Sequence, residues 1–229
     1  MKYVVIIPSY NPDRELVEIV RDTHKRGIDK IIVIDDGSYD KRYFNEIEGY
    51  KYVDIIRHDK NMGKGISLKD GFSYYLDNYS DRYLGVVCMD SDGQHRVDDM
   101  VNVGNEMEAS DRFVLGVRNF DRDGVPRRSR FGNKITSKVF RWLFDIDISD
   151  TQTGLRGIPN RLIPMVRDSN GERFEYEANM LIDIIRMNEE IKEIEIDTIY
   201  KDKGKRKSYF KPIRDSFLVY REIFKRRKK

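Results

Sequence analysis

Five short runs rich in valine and isoleucine follow one another through the first half of the chain, separated by helical patterns. They read "YVVIIP", "KIIVIDD", "YVDIIRH", "LGVVCMD" and "RFVLGVR". Runs this short and this continuously apolar suit strands buried on both faces of a sheet. Between them, Leu16, Ile19, Val20 and Thr23 share one helical face, and Leu68, Phe72, Tyr75 and Tyr79 share another. Strand and helix alternating at this spacing predict an α/β fold with a parallel sheet and right-handed crossovers. Such sheets bind ligands beyond the carboxyl ends of their strands.

Those ends are polar throughout. They carry Pro8-Ser9-Tyr10-Asn11, Asp35-Asp36-Gly37-Ser38, His58-Asp59-Lys60-Asn61 and Asp90-Ser91-Asp92. The last is the sharpest, because "YLGVVCMDSDGQH" runs from core strand straight into two carboxylates, a turn glycine and an amide. Carboxylates are seldom buried without a partner, so a cation is expected there. Asp-x-Asp also occurs at Asp121/Asp123 and Asp145/Asp147, but only Asp90/Asp92 ends a central strand. Its oxygens are hard ligands suited to Mg²⁺ or Mn²⁺, which also take diphosphate oxygens.

"HDKNMGKGISLKDG" places Gly63 and Gly65 at a strand-to-helix junction. It matches neither common phosphate-loop signature. The glycines allow close helix packing or ligand approach, with Asn61 and Lys64 near the sheet edge. His24, His58 and His95 lack zinc-like spacing, and His95 reads as a polar loop residue rather than a catalytic imidazole. No G-x-S-x-G elbow appears, and Cys88 lies in an apolar run, which predicts a small core residue.

The second half is less regular. "VRNFDRDGVPRRSRFGN" is a basic loop, followed by a helix with Phe140, Leu143 and Phe144 on its apolar side. "DTQTGLRGIP" reads as a polar turn, "YEANMLIDIIRM" as a helix and "IKEIEIDTIY" as a strand. The tail places Ile213, Phe217, Tyr220 and Phe224 on one helical stripe flanked by basic residues, a face that suits its own domain or an anionic leaflet. With no repeat or linker, the 229 residues predict a single domain, with a regular half over 1–117, a less regular half over 118–200 and a basic amphipathic tail over 201–229.

A net charge of +3 gives no support for nucleic acid as a partner. One cysteine excludes an internal disulfide, and no window approaches the ~20 apolar residues of a membrane span. Without a signal-peptide pattern the expectation is a cytoplasmic protein, peripheral on the inner face of a membrane.

Together, "VVIIPSYN", "VIDDGSYD", "NMGKGISLKDG" and "MDSDGQH" resemble the inverting family-2 glycosyltransferases of GT-A fold. "RSRFGNKITSKVF" and "DTQTGLRGIP" are similar to the branch of dolichyl- and polyprenyl-phosphate sugar synthases, and "FEYEANMLI" also fits it. The resemblance implies a Rossmann-like, mostly parallel sheet flanked by helices and a UDP- or GDP-linked sugar donor. Pro8, Tyr10 and Asp36 would then lie along the nucleoside, with Asn61, Gly63, Lys64 and Ser91 also on the donor side. Asp90, Asp92 and Gln94 would hold the divalent cation and, through it, the diphosphate.

Arg118, Arg127, Arg128 and Arg130 crowd the segment after the fifth strand. Guanidinium forks match phosphate oxygens, so the cluster suits a phosphorylated acceptor, and the resemblance implies that it is a polyprenyl phosphate. A glycan hydroxyl is the alternative, and it would need a carboxylate to take its proton, for which Asp150 is the candidate. Asp150 could equally orient the acceptor. A sugar-1-phosphate nucleotidyltransferase is disfavoured, since no basic glycine-rich signature follows the first strand. A non-catalytic nucleotide-binding adaptor is disfavoured by the complete set of strand-end acids.

Overall fold

The structure is a computed structural model that describes residues 1–120, 127–197 and 212–226. Side chains at 127–129, which include Arg127 and Arg128, and at 212–217, which include Ile213 and Phe217, lie outside the described residues, as does the Asp121/Asp123 pair. All five expected strands form: β1 (Tyr3–Ser9), β2 (Ile31–Asp35), β3 (Val53–Arg57), β4 (Gly85–Cys88) and β5 (Phe113–Arg118). Helices α1 (Glu15–Lys25), α2 (Arg42–Ile47), α3 (Lys64–Asn78) and α4 (Val97–Ser110) connect them. Then come α5 (Arg127–Phe144), β6 (Arg156–Pro159), α6 (Ile163–Asp168), α7 (Glu175–Arg186), β7 (Ile191–Ile196) and α8 (Pro212–Lys225).

The strands form one sheet in the order β3-β2-β1-β4-β6-β5-β7, parallel except for β6. Four of the ten residues of the expected turn "DTQTGLRGIP" are therefore strand. β6 spans four residues, too few to show a period, and a charged residue opens it. That residue, Arg156, is buried because its guanidinium donates to the carbonyls of Thr153 (3.0 Å) and Glu177 (2.7 Å). β3 also departs from expectation: as an edge strand it buries Val53 but leaves Ile55 and Ile56 half-buried.

Helices cover both faces. Leu16, Val17, Ile19 and Val20 of α1, Phe44 of α2 and Met100, Val103 and Met107 of α4 pack on one side. Leu68, Phe72 and Tyr75 of α3 join α5, α6, α7 and α8 on the other. The predicted faces of α1 and α3 are thus the packed ones, with Tyr79 at the C-terminal end of α3 only partly buried. Cys88 is a buried core residue whose thiol burial pushes up to about 12.

In α8 the packed face is set one residue from the expected stripe. Ile223 is fully buried, Val219 and Tyr220 are partly buried against the core, and Phe224 remains exposed. The Tyr220 hydroxyl meets Thr136 Oγ1 of α5 at 2.9 Å, and Arg226 pairs with Asp183 of α7. These contacts tie the end of the helix into the domain. Ile223→Ala is expected to destabilise the protein by about 2–5 kcal/mol in urea unfolding, while Phe224→Ala changes stability little.

Candidate active site

Each acid at the sheet edge has found its counter-group. Asp35, fully buried, accepts from Ser38 N (2.8 Å) and pairs with Lys41 Nζ (2.5 Å). Asp36 is met by Met62 N at 2.7 Å, Gly63 N at 2.9 Å, Asn61 Nδ2 at 2.8 Å and His58 Nδ1 at 2.9 Å. A carboxylate offers about four acceptor sites, so Asp36 is saturated within the chain. It clamps the 58–63 loop to the end of β2, and a bond to a nucleoside would require one of these contacts to open. Gly63 and Gly65 serve close packing here. A Cβ on Gly63, at φ +105°, would stand 2.6 Å from Glu172 O, and one on Gly65 would stand 2.7 Å from Tyr176 Cβ.

β1 ends beside this clamp. Pro8 is in register with Ile34, Ser9 Oγ donates to Ser91 Oγ at 3.0 Å, and half-buried Tyr10 follows. Asn11, at φ 45°, spans to the β2 end by donating its N–H to Ser38 Oγ (2.8 Å) and accepting from Tyr39 N (3.0 Å). The carboxyl ends of β1, β2 and β4 thus form one tied rim.

At the end of β4, Lys64 Nζ lies between Asp90 Oδ1 at 2.7 Å and Glu177 Oε1 at 2.9 Å. Burial alone would raise the pKa of Asp90, but the Lys64 ammonium outweighs it and holds the carboxylate below its ordinary range. Burial likewise works against the charge on Lys64, and the two carboxylates reverse that, raising it above the usual lysine value. Asp90 also rests on Gly154, where a Cβ would lie 2.5 Å from its Oδ2. His95 lies in the connection between β4 and α4 and is buried: its Nε2 is 3.9 Å from Asp90 Oδ2, and burial pushes its pKa down to about 4.

Gly93 turns the chain at φ 66°, leaving Asp92 exposed, with Oδ1 accepting from Gln94 N at 3.0 Å. Asp90, Asp92 and the Gln94 amide are hard oxygen donors on one turn. Among the described residues no group of three His, Cys, Asp or Glu side chains is placed to enclose a metal. Two carboxylates at an open strand end fit a Mg²⁺-like cation that is shared with substrate phosphates, since such ions keep most of their sites for water and phosphate. The other described copy, Asp145/Asp147, is exposed, and Asp147 pairs with Arg141.

Across β6, Asp150 is fully buried. It takes Arg118 Nε at 2.6 Å and Nη2 at 3.0 Å, together with Gln152 N at 3.0 Å. This bidentate pair neutralises both groups and fixes the end of β5 to the segment entering β6. Beside it opens a cleft of about 430 Å³ lined by Arg118, Asn133, Ser137, Lys138, Ile148 and Glu195, among others. Asn133 Oδ1 and Ser137 Oγ are buried with no hydrogen-bond partner within the described residues.

A family model for glycosyl transferase family 2 matches residues 4–162, most of the chain and all of this edge. The chain belongs to that family. It is 27% identical over 218 residues to the UDP-N-acetylglucosamine–dolichyl-phosphate N-acetylglucosaminyltransferase of Methanococcus voltae, covering 86% of each chain. It is 29% identical over 189 residues to the polyprenol monophosphomannose synthase of Mycolicibacterium smegmatis, covering 75% of this chain and 68% of that one. Its fold is similar to glucosyl-3-phosphoglycerate synthase from Mycobacterium tuberculosis, crystallised with Mn²⁺, UDP and phosphoglyceric acid. The TM-score is 0.71 at 15% identity, covering 98% of this chain and 76% of that one. The sheet is thus the expected GT-A arrangement.

In this glycosyltransferase the structure gathers Pro8, Tyr10, Asp36, Asn61, Gly63, Lys64, Asp90, Ser91, Asp92 and Gln94 along one rim, and sets Arg118, Asp150 and half-buried Arg130 beyond β6. Sequence reasoning did not single out Glu177 or Gly154. Glu177 sits within "FEYEANMLI" but reads there as one acid in a helix; only the fold carries α7 to Lys64. Gly154 reads as a turn residue, yet its missing side chain is the floor under Asp90. Gly154→Ala is therefore expected to displace the Asp90 carboxylate. Nucleotide affinity measured by calorimetry should fall about tenfold or more, and the thermal unfolding midpoint should fall as well, because the mostly buried Lys64 ammonium loses a partner.

Proposed function

We propose that this family-2 enzyme is an inverting transferase that moves a sugar from a nucleotide-diphosphate donor to a polyprenyl phosphate at an anionic membrane surface, using Mg²⁺ or Mn²⁺. The observation that carries the acceptor assignment is the Arg118–Asp150 pair. A hydroxyl acceptor needs a base, and Asp150 is buried with its oxygens already committed to Arg118 and Gln152 N. A phosphate acceptor is anionic at neutral pH and needs no proton removed. It asks instead for cationic and polar groups, which Lys138, Asn133 and Ser137 supply around the cleft. The curated relatives named above support this by name, one acting on dolichyl phosphate and one making a polyprenol monophosphate sugar.

The chemistry follows from the arrangement. An acceptor phosphate oxygen attacks the anomeric carbon as that carbon's bond to the donor diphosphate breaks, and the nucleoside diphosphate leaves. Asp90, Asp92 and Gln94 would hold the cation, which when bound neutralises charge developing on the leaving diphosphate. Lys64 adds a positive charge at the same edge. Asp92→Asn should reduce transfer by roughly 10²-fold with the fold intact. Unchanged turnover in that variant would contradict the metal assignment. Incubating UDP- and GDP-sugars with and without polyprenyl phosphate, and reading labelled lipid, tests donor and acceptor together.

No helix among the described residues is long and apolar enough to cross a membrane. Among the described residues an exposed apolar face lies on α5. Phe131 (70% exposed), Ile135 (37%) and Trp142 (75%) recur on one side of α5, with exposed Lys138 among them and Lys134 and Arg141 flanking. Aromatic residues mixed with basic ones suit the interface of an anionic leaflet, and this helix also walls the cleft. Trp142 is the chain's sole tryptophan. Its fluorescence should shift to the blue with phosphatidylglycerol vesicles and not with phosphatidylcholine. The double change Lys134→Gln/Lys138→Gln should weaken vesicle binding about thirtyfold, at about 1 kcal/mol per basic residue. An unmoved spectrum would remove the membrane from the proposal.

A further inference from the structure

Lys64 occupies an unusual position for a donor-side lysine. Its ammonium is mostly buried and divided between two carboxylates on different elements, Asp90 at the end of β4 and Glu177 on α7. Asp90 is also the acid that the proposed cation must use. Lys64 holds Asp90 Oδ1 at 2.7 Å, so it would compete with a divalent cation for that carboxylate. Two positive charges beside one carboxylate repel each other, and each weakens the other's hold on it. Lys64 has a second anchor that Asp90 lacks: Glu177 Oε1 at 2.9 Å, on a side chain that is itself only 12% exposed.

We propose that Lys64 and Glu177 form a counter-ion relay that couples cation binding to donor binding. Before the donor arrives, Lys64 neutralises Asp90 and keeps its carboxylate at the rim. When the donor diphosphate enters, Lys64 gives up Asp90 and turns its charge to the phosphates, while Glu177 keeps the ammonium within reach. Glu177 is a positioning residue in this scheme, acting through Lys64. Each ligand then favours the other: the nucleotide draws Lys64 off Asp90 and so tightens cation binding, and by linkage the cation tightens the nucleotide equally. The inference rests on the metal-dependent reading above but adds to it a rival inside the protein and a residue that referees the exchange.

The relay predicts opposite effects from its two members. Lys64→Gln removes the rival and leaves two uncompensated carboxylates, so Mn²⁺ alone should bind more tightly, by about tenfold, and added UDP or GDP should no longer improve it. Glu177→Gln leaves Lys64 with Asp90 as its sole anion and takes one negative charge from the cluster. Mn²⁺ alone should then bind more weakly by about tenfold, and the nucleotide enhancement should shrink. The readout is free Mn²⁺ by electron paramagnetic resonance in titrations of the whole chain, with and without UDP or GDP, alongside thermal unfolding of each variant. Glu177→Asp, which keeps the charge, should restore much of the coupling. If both substitutions move Mn²⁺ affinity in the same direction, the relay is wrong while metal binding stands. If the wild-type chain binds no Mn²⁺ even with nucleotide, the relay and the metal-dependent reading fall together.

Discussion

The arrangement of this protein turns on one short strand running against its neighbours. β6 lies antiparallel between β4 and β5, with Arg156 in register with both Cys88 and Leu115. Because it runs the other way, the segment that enters it, Asp150 to Leu155, arrives at the same sheet edge where β4 and β5 leave. A parallel strand in that place would have put this segment at the opposite end. Its direction sets Gly154 under Asp90 and Asp150 against Arg118. Antiparallel pairing so converts two halves of an otherwise parallel sheet into one continuous rim.

β6 carries the fully buried Arg156 into the sheet. A guanidinium in the middle of a sheet is costly unless its donors are met. Thr153 and Glu177 carbonyls accept two of them, and the Glu177 side chain reaches Lys64. One residue of α7 thereby serves the strand with its backbone and the rim with its carboxylate. This shared use ties the packing of the second half of the chain to the electrostatics of the first.

The helices beyond the rim divide the remaining work by what they leave uncovered. α8 buries Ile223 and fastens itself through Arg226 and Asp183, while Phe224 stays in solvent. α5 buries Phe140 and Phe144 yet leaves Phe131 and Trp142 in solvent. Phe131, Ile135 and Trp142 thus leave an exposed apolar strip on the helix that walls the cleft.

The sequence by itself determined the repeating strands, the packed faces of α1 and α3, and the polar ends that line the rim. These are local: a run of Val and Ile buries itself wherever it pairs, and a carboxylate at a strand's end stays at that end. It also carried the family, through short motifs that each sit on one strand-to-helix turn. What only the tertiary structure decided were relations between distant segments. "RGIP" became strand because β4 and β5 were there to pair with it, a fact no four-residue window holds. Asp36 and Asp150 look alike to any acid-rich turn, but contacts drawn from the 58–63 loop and from β5 commit the oxygens of each. Lys64, Asp90 and Glu177 are spread over three elements, and their charges interact strongly only because burial removes the water that would otherwise separate them. Spacing along a chain records none of this, since electrostatic partners are chosen by distance in space and by the dielectric between them.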